Sequence, residues 1–496
     1  MQQLSGVDAS FLYMETSKAW GHVSGLAVFR RPDVPGWSPY EALRDRLAAY
    51  LPQLEPFRRR LVEVPLALDH PYWIEDPDFD LEFHIRDTAV PPPGTDDKLA
   101  ALTARLIARP LDRSHPLWEA YVIEGLSDNR FAILTKLHHA AIDGAAGAEL
   151  MALMYQPEGM ESPPVPDASL PQAPPVPSQA EVLGRALTDV VRKPTKYARL
   201  QVRSVQALGE LTRNKGLTGL ADLMRTLPNP VGASLGRRRS NGHADGTDGA
   251  DSAQPPPVAA APITTFNGAI SGNRRVALRS ASLEDVKAFK RVAGFTVNDV
   301  VMAACSGALR TYLEEKDALP DQPLVAMVPV SIRTGQESDP WTNRVSAIFP
   351  PIPTDEADQK VRMQRVHEAM NEAKERFKLM PADVLTQYAD FAPPALAIRA
   401  ASVASRLRVA DRVRPPFNLV ISNVPGPRRA LMLDGARLEH YYPVSTITDG
   451  QGLNITLQSY RDILDFSLVA DRELVPDVEH LADLLEQEFA SLHALL

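Results

Sequence analysis

Two proline-rich tracts divide this chain and limit the folds that it can adopt. Residues 160–179 (MESPPVPDASLPQAPPVPSQ) have polyproline character, and residues 240–262 (SNGHADGTDGADSAQPPPVAAAP) are rich in Gly, Asp, Ala and Pro. Neither composition can bury a core, so we predict an extended linker and a disordered segment. The 496 residues also exceed the size at which one hydrophobic core keeps growing. We therefore predict two core-bearing blocks, residues 1–158 and 263–496, joined by a linker over 159–262.

Both blocks mix helix-like and strand-like patterns. In the first block, residues 41–51 and 97–111 have apolar side chains at helical spacing, whereas residues 117–126 and 130–139 resemble strands around a Ser-Asp-Asn turn. The second block repeats this alternation, and residues 181–226 predict a helical segment within the linker. The predicted elements of the second block are helices over 282–293 and 296–315, a final helix that begins after Asp477, and strands over 323–332, 418–424, 453–460 and 463–471. The predicted fold class is α/β (α+β), with mixed sheets flanked by helices.

Composition narrows the possible functions. The chain has 53 basic and 62 acidic residues, a net charge of −9, and only 6% aromatic residues, which argues against nucleic-acid binding. A single cysteine, Cys305 in an apolar stretch, excludes an intrachain disulfide and any multi-cysteine metal site. No secretory leader pattern is present, and no apolar run approaches the roughly 20 residues of a membrane-spanning helix. We expect an intracellular protein that is at most peripheral to a membrane.

The stretch KLHHAAIDGAAG carries the strongest indication of chemistry. A neutral imidazole, with a reference pKa of about 6.5, can accept a hydroxyl proton near neutral pH. Because adjacent residues on a strand face opposite sides, one of His138 and His139 can project into a cleft while the other packs behind it. Asp143 can orient this loop or pair with a distant arginine, for which Arg333 is a candidate. Gly144 allows positive φ or a close backbone approach.

Two other chemistries fit this sequence less well. Metal ligation by the histidine pair is disfavoured, because no further His, Cys or Glu cluster has ligand spacing. Ser234 lies in GASLG, but this motif lacks the preceding strand and following helix that a nucleophilic serine requires. The remaining hypothesis is direct transfer, in which a hydroxyl held by imidazole attacks an activated acyl carbonyl.

Several motifs resemble those of a known family. HHAAIDG resembles the His-His-x-x-x-Asp-Gly motif of CoA-dependent acyltransferases in the chloramphenicol acetyltransferase-like superfamily. Other stretches look like the bacterial wax ester synthase/diacylglycerol acyltransferase family and together span almost the whole chain outside the linker. They are LSGVDASFLYMET, DRSHPLWEAYVIEGL, TTFNGAISGNRR, TVNDVVMA, VPVSIRT, NRVSAIFPPIP and SNVPGPRRAL.

The resemblance implies an acyl-CoA-dependent O-acyltransferase that makes triacylglycerol from diacylglycerol, wax esters from long-chain alcohols, or both. It implies two acyltransferase-like halves with the histidine site in a tunnel between them, acyl-CoA as substrate, and no tightly bound cofactor or metal. His139 corresponds to the general base, with His138 and Asp143 as its support. The further residues carried over as substrate-binding candidates are Gly144, Pro116, Leu117, Trp118, Glu119, Asn298, Asp299 and Asn423.

Structural roles compete with these assignments. Trp118 can be a core residue, and SNVPGP, which contains Asn423, can be a rigid turn. Asp299 lies in the first turn of a predicted helix, where a carboxylate is favoured without any catalytic duty, and Asn298 is a candidate N-cap. These alternatives stay open at the level of sequence.

Two basic segments raise the question of membrane association. Residues 181–226 hold nine basic and four acidic residues, and residues 395–414 carry Arg399, Arg406, Arg408, Arg412 and Arg414 among apolar residues. Basic amphipathic helices bind anionic lipid, although solvated helices between domains have the same pattern. We expect a cytoplasmic protein, peripheral on the inner membrane face or on lipid droplets. The competing functions are acyl transfer from carrier-protein thioesters and a catalytically inactive lipid-droplet or membrane scaffold.

Overall fold

The computed structural model describes residues 1–142, 144–160, 173–192, 261–331, 345–378 and 394–493. Several sequence predictions lie outside these residues. They concern Asp143, Arg333, Ser234, the tracts at 161–172 and 240–260, and the predicted helix beyond residue 192.

Strands and helices alternate along the chain. The strands are β1 Gln2–Gln3, β2 His22–Arg30, β3 Arg59–Val62, β4 Tyr72–Glu75, β5 Ile85–Ala89, β6 Trp118–Leu126, β7 Arg130–His138, β8 Gln156–Pro157, β9 Arg274–Ser282, β10 Leu324–Ser331, β11 Val345–Ile348, β12 Pro351–Ile352, β13 Leu419–Val424, β14 Leu431–Leu433, β15 Ala436–Val444, β16 Leu453–Tyr460 and β17 Ile463–Asp471. The helices are α1 Gly6–Tyr13, α2 Pro39–Tyr50, α3 Glu55–Arg58, α4 Leu81–His84, α5 Asp96–Ile107, α6 Gly144–Met154, α7 Gln179–Arg192, α8 Leu283–Ala293, α9 Val297–Glu314, α10 Gln359–Lys378, α11 Pro394–Arg406 and α12 Val478–His493.

The first sheet has seven strands in the order β5-β6-β7-β2-β15-β14-β8. Strand β7, which ends at His138, lies between β6 and β2 and is antiparallel to both. The hairpin from β6 to β7 turns through Asp128 and Asn129, whose φ angles of 60° and 54° are those of a tight hairpin turn. The hairpin predicted around Ser-Asp-Asn is confirmed.

The second sheet follows the order β11-β10-β13-β16-β17-β9, with β12 paired to β10. Strands β10, β13 and β16 are parallel neighbours, whereas the pairings of β16 with β17 and of β17 with β9 are antiparallel. A small third sheet has the order β1-β4-β3. These mixed sheets with flanking helices confirm the predicted fold class.

Two strands from the second block belong to the first sheet. Strand β15 pairs with β2 from Ser24 to Arg30, and β14 pairs with β8. The division of the chain into domains 1–158, 159–262 and 263–496 stays a prediction. It does not include this exchange, in which β14 and β15 of the second block pair with strands of the first. Strand pairing over more than 400 residues depends on tertiary packing, which local periodicity does not report.

A hydrophobic core is shared by the two blocks. Helix α5 lies against β9. Leu99 and Leu102 of α5 form one buried cluster with Leu26 of the first sheet and with Leu278 and Val469 of the second. The two sheets are therefore packed through a common apolar layer.

Two helix ends differ from the predictions. The N-cap of α9 is Thr296 and not Asn298, because the Thr296 side chain and the Asp299 carboxylate form a reciprocal capping box. Helix α11 ends at Arg406, so the basic segment 395–414 is only partly within this helix. Arg408 adopts a left-handed φ of 49°. Arg408, Arg412 and Arg414 thus lie beyond the helix.

The contact between Gly25 and Tyr441 provides a test of the strand exchange. A Cβ atom at Gly25 would lie 1.9 Å from the Tyr441 hydroxyl oxygen and 2.6 Å from its Cζ atom. We expect Gly25→Ala to lower the free energy of unfolding by about 1–3 kcal/mol, because the ring must move out of a packed position. The measurement is the midpoint of urea-induced unfolding. Gly184→Ala is the matched control, since it has open space at its Cβ position and lies within helix α7. Equal midpoints for the two variants would contradict this account.

Candidate active site

The histidine pair lies where strand β7 ends, and neighbouring segments on both sides hold its backbone. The His138 amide donates to the Leu117 carbonyl at 3.0 Å, and the His139 amide donates to the Gly21 carbonyl at 2.8 Å. Gly21 directly precedes β2, and Leu117 directly precedes β6. The position of the pair is therefore fixed by main-chain contacts that do not depend on the histidine side chains.

The His138 ring is buried and its protonation state follows from its partners. Its Nδ1 atom accepts a hydrogen bond from the Ala140 amide at 3.0 Å, so this nitrogen carries no proton. Its Nε2 atom lies 3.2 Å from Glu15 Oε1. Because a carboxylate only accepts, Nε2 carries the proton and donates it. The ring is thus neutral and is oriented by Glu15.

Glu15 is the main residue that the sequence analysis missed. Burial alone would raise the pKa of its carboxyl group, but the hydrogen bonds that it accepts from His138, the Gly21 amide and Arg113 lower the pKa to about 2. The Gly21 amide and Arg113 each donate at 2.7 Å. Glu15 lies within the quoted LSGVDASFLYMET motif, yet 123 residues separate it from His138. No local spacing could have connected the two.

The segment that carries Glu15 is tied to the second block. Arg274 of β9 donates to the Lys18 carbonyl, and Thr446 donates to the Trp20 carbonyl at 2.8 Å. Burial lowers the pKa of the Arg274 guanidinium to about 10, against the opposing effect of Asp471. Both blocks therefore contribute to the placement of the Glu15 carboxylate.

The His139 ring takes a different direction from that of His138. It is half-buried and stacks on Phe11 of helix α1, with ring centroids 4.4 Å apart and planes 6° apart. Position 21 must be glycine, because a Cβ atom there would lie 2.7 Å from His138 Nε2 and 2.9 Å from the Phe11 carbonyl oxygen. The two imidazoles are thus separated into one that is held by a carboxylate and one that lies against an aromatic ring.

A cavity of about 170 Å³ lies beside the turn that follows His139. Ala140 and Ala141 line it together with the start of α1, Arg59 and Trp73. Its volume is below that of a typical ligand pocket, so it can hold only part of a large substrate. Polar atoms reach it from Ser5 and Asp8, which cap the start of α1.

The Pro-Leu-Trp-Glu motif supports the backbone of the histidine pair. The Leu117 carbonyl accepts a hydrogen bond from the His138 amide, and Pro116 is buried. Trp118 is 1% exposed, donates from its indole nitrogen to the Phe57 carbonyl at 2.9 Å, and stacks on His84. The predicted contact of Trp118 with substrate stays a prediction, and its core position explains its burial without one.

Glu119 lies in a buried polar network next to the histidines. It accepts hydrogen bonds from the Tyr121 hydroxyl at 2.8 Å and from the fully buried Lys136 ammonium at 3.2 Å. Burial lowers the pKa of the Lys136 ammonium group, and the nearby Glu119 charge opposes this shift. These hydrogen bonds explain how the Glu119 carboxylate can be buried. The predicted contact of Glu119 with substrate stays a prediction.

Two motifs of the second block meet in the structure. The Asn423 side-chain amide donates to Asn298 Oδ1 at 2.6 Å, over a separation of 125 residues. Asp299 is fully buried; it caps α9 and accepts a hydrogen bond from His367 Nδ1 at 2.7 Å. The predicted first-turn position of Asp299 is therefore confirmed, and Asn298 is placed next to Asn423. Gly144 begins helix α6.

Among the residues that the structure describes, no group of three or more His, Cys, Asp or Glu side chains could hold a metal ion. Both ring nitrogens of His138 are engaged by Ala140 and Glu15, which leaves neither for metal ligation. The arrangement instead supports acid–base chemistry at His139.

Comparisons with known proteins show what this chain is similar to. The sequence profile of the wax ester synthase/diacylglycerol acyltransferase catalytic domain matches residues 4–301, and that of the C-terminal domain matches residues 341–493. A Mycobacterium bovis protein named as a diacylglycerol O-acyltransferase is 35% identical over 98% of this chain and 97% of its own length. The O-acyltransferase WSD of Acinetobacter baylyi is 33% identical over 98% of this chain and 96% of its own length. The solved structure of the wax ester synthase/diacylglycerol acyltransferase from Marinobacter aquaeolei VT8 is 30% identical, with a TM-score of 0.66, and covers 100% of this chain and 99% of that one.

The depressed pKa of Glu15 leads to a prediction about stability. At pH 7 we expect Glu15→Gln to lower the free energy of unfolding by about 3 kcal/mol, from the difference between a folded pKa of about 2 and an unfolded pKa of about 4.3. Because the folded pKa is the lower one, this contribution is present above pH 4.3. It falls as the pH drops through the folded pKa, with roughly half lost at pH 3.

The measurement is urea-induced unfolding of wild type and variant at pH 7 and pH 3. Glu284→Gln, at an exposed helix start, is the matched control. A gap between wild type and Glu15→Gln that is equal at both pH values would show that the Glu15 carboxylate does not contribute in this way.

Proposed function

The chain belongs to the wax ester synthase/diacylglycerol acyltransferase family, and on this basis we propose that it esterifies diacylglycerol or a long-chain alcohol with an acyl group from acyl-CoA. The observation that carries the proposal is the separation of the two imidazoles. His138 accepts the Ala140 amide at Nδ1 and is oriented by Glu15 at Nε2, while His139 lies half-buried against Phe11, next to the two alanines that line the cavity. The proposed base is His139, with His138, Glu15 and Asp143 as its support.

In the proposed reaction His139 accepts the proton of the acceptor hydroxyl while the oxygen attacks the thioester carbonyl carbon. The tetrahedral intermediate then collapses, the carbon–sulfur bond breaks, and the imidazolium returns its proton to the sulfur of CoA. The ester and free CoA are the products. No resident cofactor or metal takes part in these steps.

The long-chain acceptors are poorly soluble, so we propose that the protein works at a lipid surface. Within the described residues, no helix is both long and apolar enough to cross a membrane. Peripheral association with the inner membrane face or with lipid droplets would bring the acceptor to the enzyme. We propose Pro116, Leu117, Trp118, Glu119, Gly144, Asn298, Asp299 and Asn423 as further residues that shape the substrate site.

The test of the base is transfer of labelled palmitate from palmitoyl-CoA to diolein or hexadecanol. We expect His139→Ala to lower the rate by about 10²–10⁴, because it removes the proton acceptor. The matched control is His480→Ala, whose ring is exposed on helix α12 and bonds to Glu315 in the second block. Wild type that forms neither ester, or His139→Ala that keeps the full rate, would overturn the proposal.

Glu15 is proposed as a positioning residue, and its variants should show a graded effect. Glu15→Gln keeps an oxygen acceptor for His138 Nε2–H, whereas Glu15→Ala keeps none. We therefore expect kcat to fall in the order wild type, Gln, Ala, by about 10²-fold in total, with little change in KM. The measurement is steady-state kinetics with hexadecanol. A folded Glu15→Ala variant with the kcat of wild type would contradict the role, as would a change confined to KM.

A further inference from the structure

Exposed apolar side chains and arginines share one surface of the protein. Leu66 and Leu68, in and after the 3₁₀ turn Pro65–Ala67, are 82% and 43% exposed. Helix α11 lies against this turn, and its outer side carries further exposed apolar residues. We define the docking surface as Leu66, Leu68, Arg399, Val403, Arg406 and Leu407.

The backbone of the turn presents Leu66 to solvent in an uncommon way. Leu66 and Ala67 have φ angles of 59° and 50°, in the left-handed region that residues other than glycine and asparagine rarely adopt. Among the described residues little covers the Leu66 side chain, which is 82% exposed. Its side chain would gain from transfer into an apolar environment outside the protein.

The helix beside the turn has two distinct faces. Ala397 and Ile398 pack into the buried cluster around helix α1. Arg399, Val403 and Arg406 follow one another at intervals of four and three residues, so they share the opposite, exposed face. Residues 394–410 contain three arginines and no acidic residue, although the chain as a whole has a net charge of −9; Arg408 pairs with Asp411, so Arg399 and Arg406 carry the charge of this face. This local positive charge is complementary to anionic phospholipid.

The docking surface is connected to the proposed base through helix α1. The Tyr13 hydroxyl lies 2.7 Å from the Nδ1 atom of His70, two residues after Leu68. Phe11, two residues before Tyr13, stacks on His139. Helix α1 therefore connects the segment that follows Leu68 to the ring of the proposed base.

We propose that the docking surface binds the headgroup layer of an anionic phospholipid bilayer, with Leu66 and Leu68 inserted among the lipids and Arg399 and Arg406 on phosphate groups. The proposal rests on the proposed function, because docking would deliver a hydroxyl-bearing lipid to His139. The binding itself does not require that activity. Insertion of leucines beside arginines is the arrangement by which peripheral helices bind anionic lipid.

The binding test is flotation of the full chain with phosphatidylcholine vesicles, with and without phosphatidylglycerol. We compare wild type with Leu66→Ser/Leu68→Ser and with Arg399→Gln/Arg406→Gln. The matched apolar control is Val34→Ser/Ile263→Ser, at two exposed positions elsewhere. The matched charge control is Lys98→Gln/Arg105→Gln on the exposed side of α5, which gives the same net charge as the arginine variant.

We expect wild type and both controls to float with the anionic vesicles. The leucine variant should bind at least about tenfold more weakly, because two apolar side chains no longer insert. The arginine variant should bind the anionic vesicles about 20-fold more weakly than wild type, and its binding to vesicles without phosphatidylglycerol should not change. The proposal is overturned if either variant binds like its control, or if wild type floats only with a triacylglycerol emulsion. It is also overturned if light scattering shows that Leu66 mediates association between copies of this chain.

An activity arm separates this proposal from the proposed function. With a short-chain alcohol dissolved in water as acceptor, the leucine variant should keep the wild-type rate of transfer from palmitoyl-CoA. With diolein in anionic vesicles, its rate should fall in parallel with its binding. Wild type that binds vesicles through Leu66 but transfers no acyl group to any acceptor would support docking and refute the esterification. A leucine variant that loses the rate with the dissolved alcohol as well would overturn the docking role.

Discussion

The hydrogen bond between the His138 ring and Glu15 is the constraint on which the rest of the site depends. Because the Ala140 amide already occupies Nδ1, the ring can donate only from Nε2, and Glu15 is the acceptor there. This fixes one imidazole in a neutral form and a single orientation. The chain then turns at Ala140, and His139 is left to stack on Phe11. A local pair of histidines thereby becomes two groups with different environments.

This constraint requires both halves of the molecule. The segment with Glu15 is held by Arg113 from the first block and by Arg274 and Thr446 from the second. Strand β15 continues this connection, since it pairs with β2 from Ser24 onward. The motif around His139 belongs to the first block, but its geometry is a property of the assembled pair. Separate folding of either block would leave Glu15 without part of its support.

Sequence reasoning succeeded where the determining interactions are local. The hairpin at Asp128 and the cap of α8 at Ser282 depend on neighbouring residues, and both were predictable. Glu15 was not, because its bond to His138 spans 123 residues and leaves no periodic pattern. Asn298 is a candidate cap of α9 in the sequence, but the cap is Thr296, because both residue types can cap a helix and only the reciprocal bond to Asp299 distinguishes them. The pairing of Asn298 with Asn423 likewise appears only in three dimensions.

Helix α1 links the features that a lipid-esterifying enzyme must coordinate. Its start lines the cavity through Ser5 and Asp8, Phe11 contacts the proposed base, and Tyr13 bonds to the segment that follows the docking surface. A helix of eight residues is not stable in isolation, so its position depends on its contacts. Those contacts include residues of α11 from the second block. A force on α11 at a lipid surface would therefore act on the same short helix that positions the ring of Phe11 against His139.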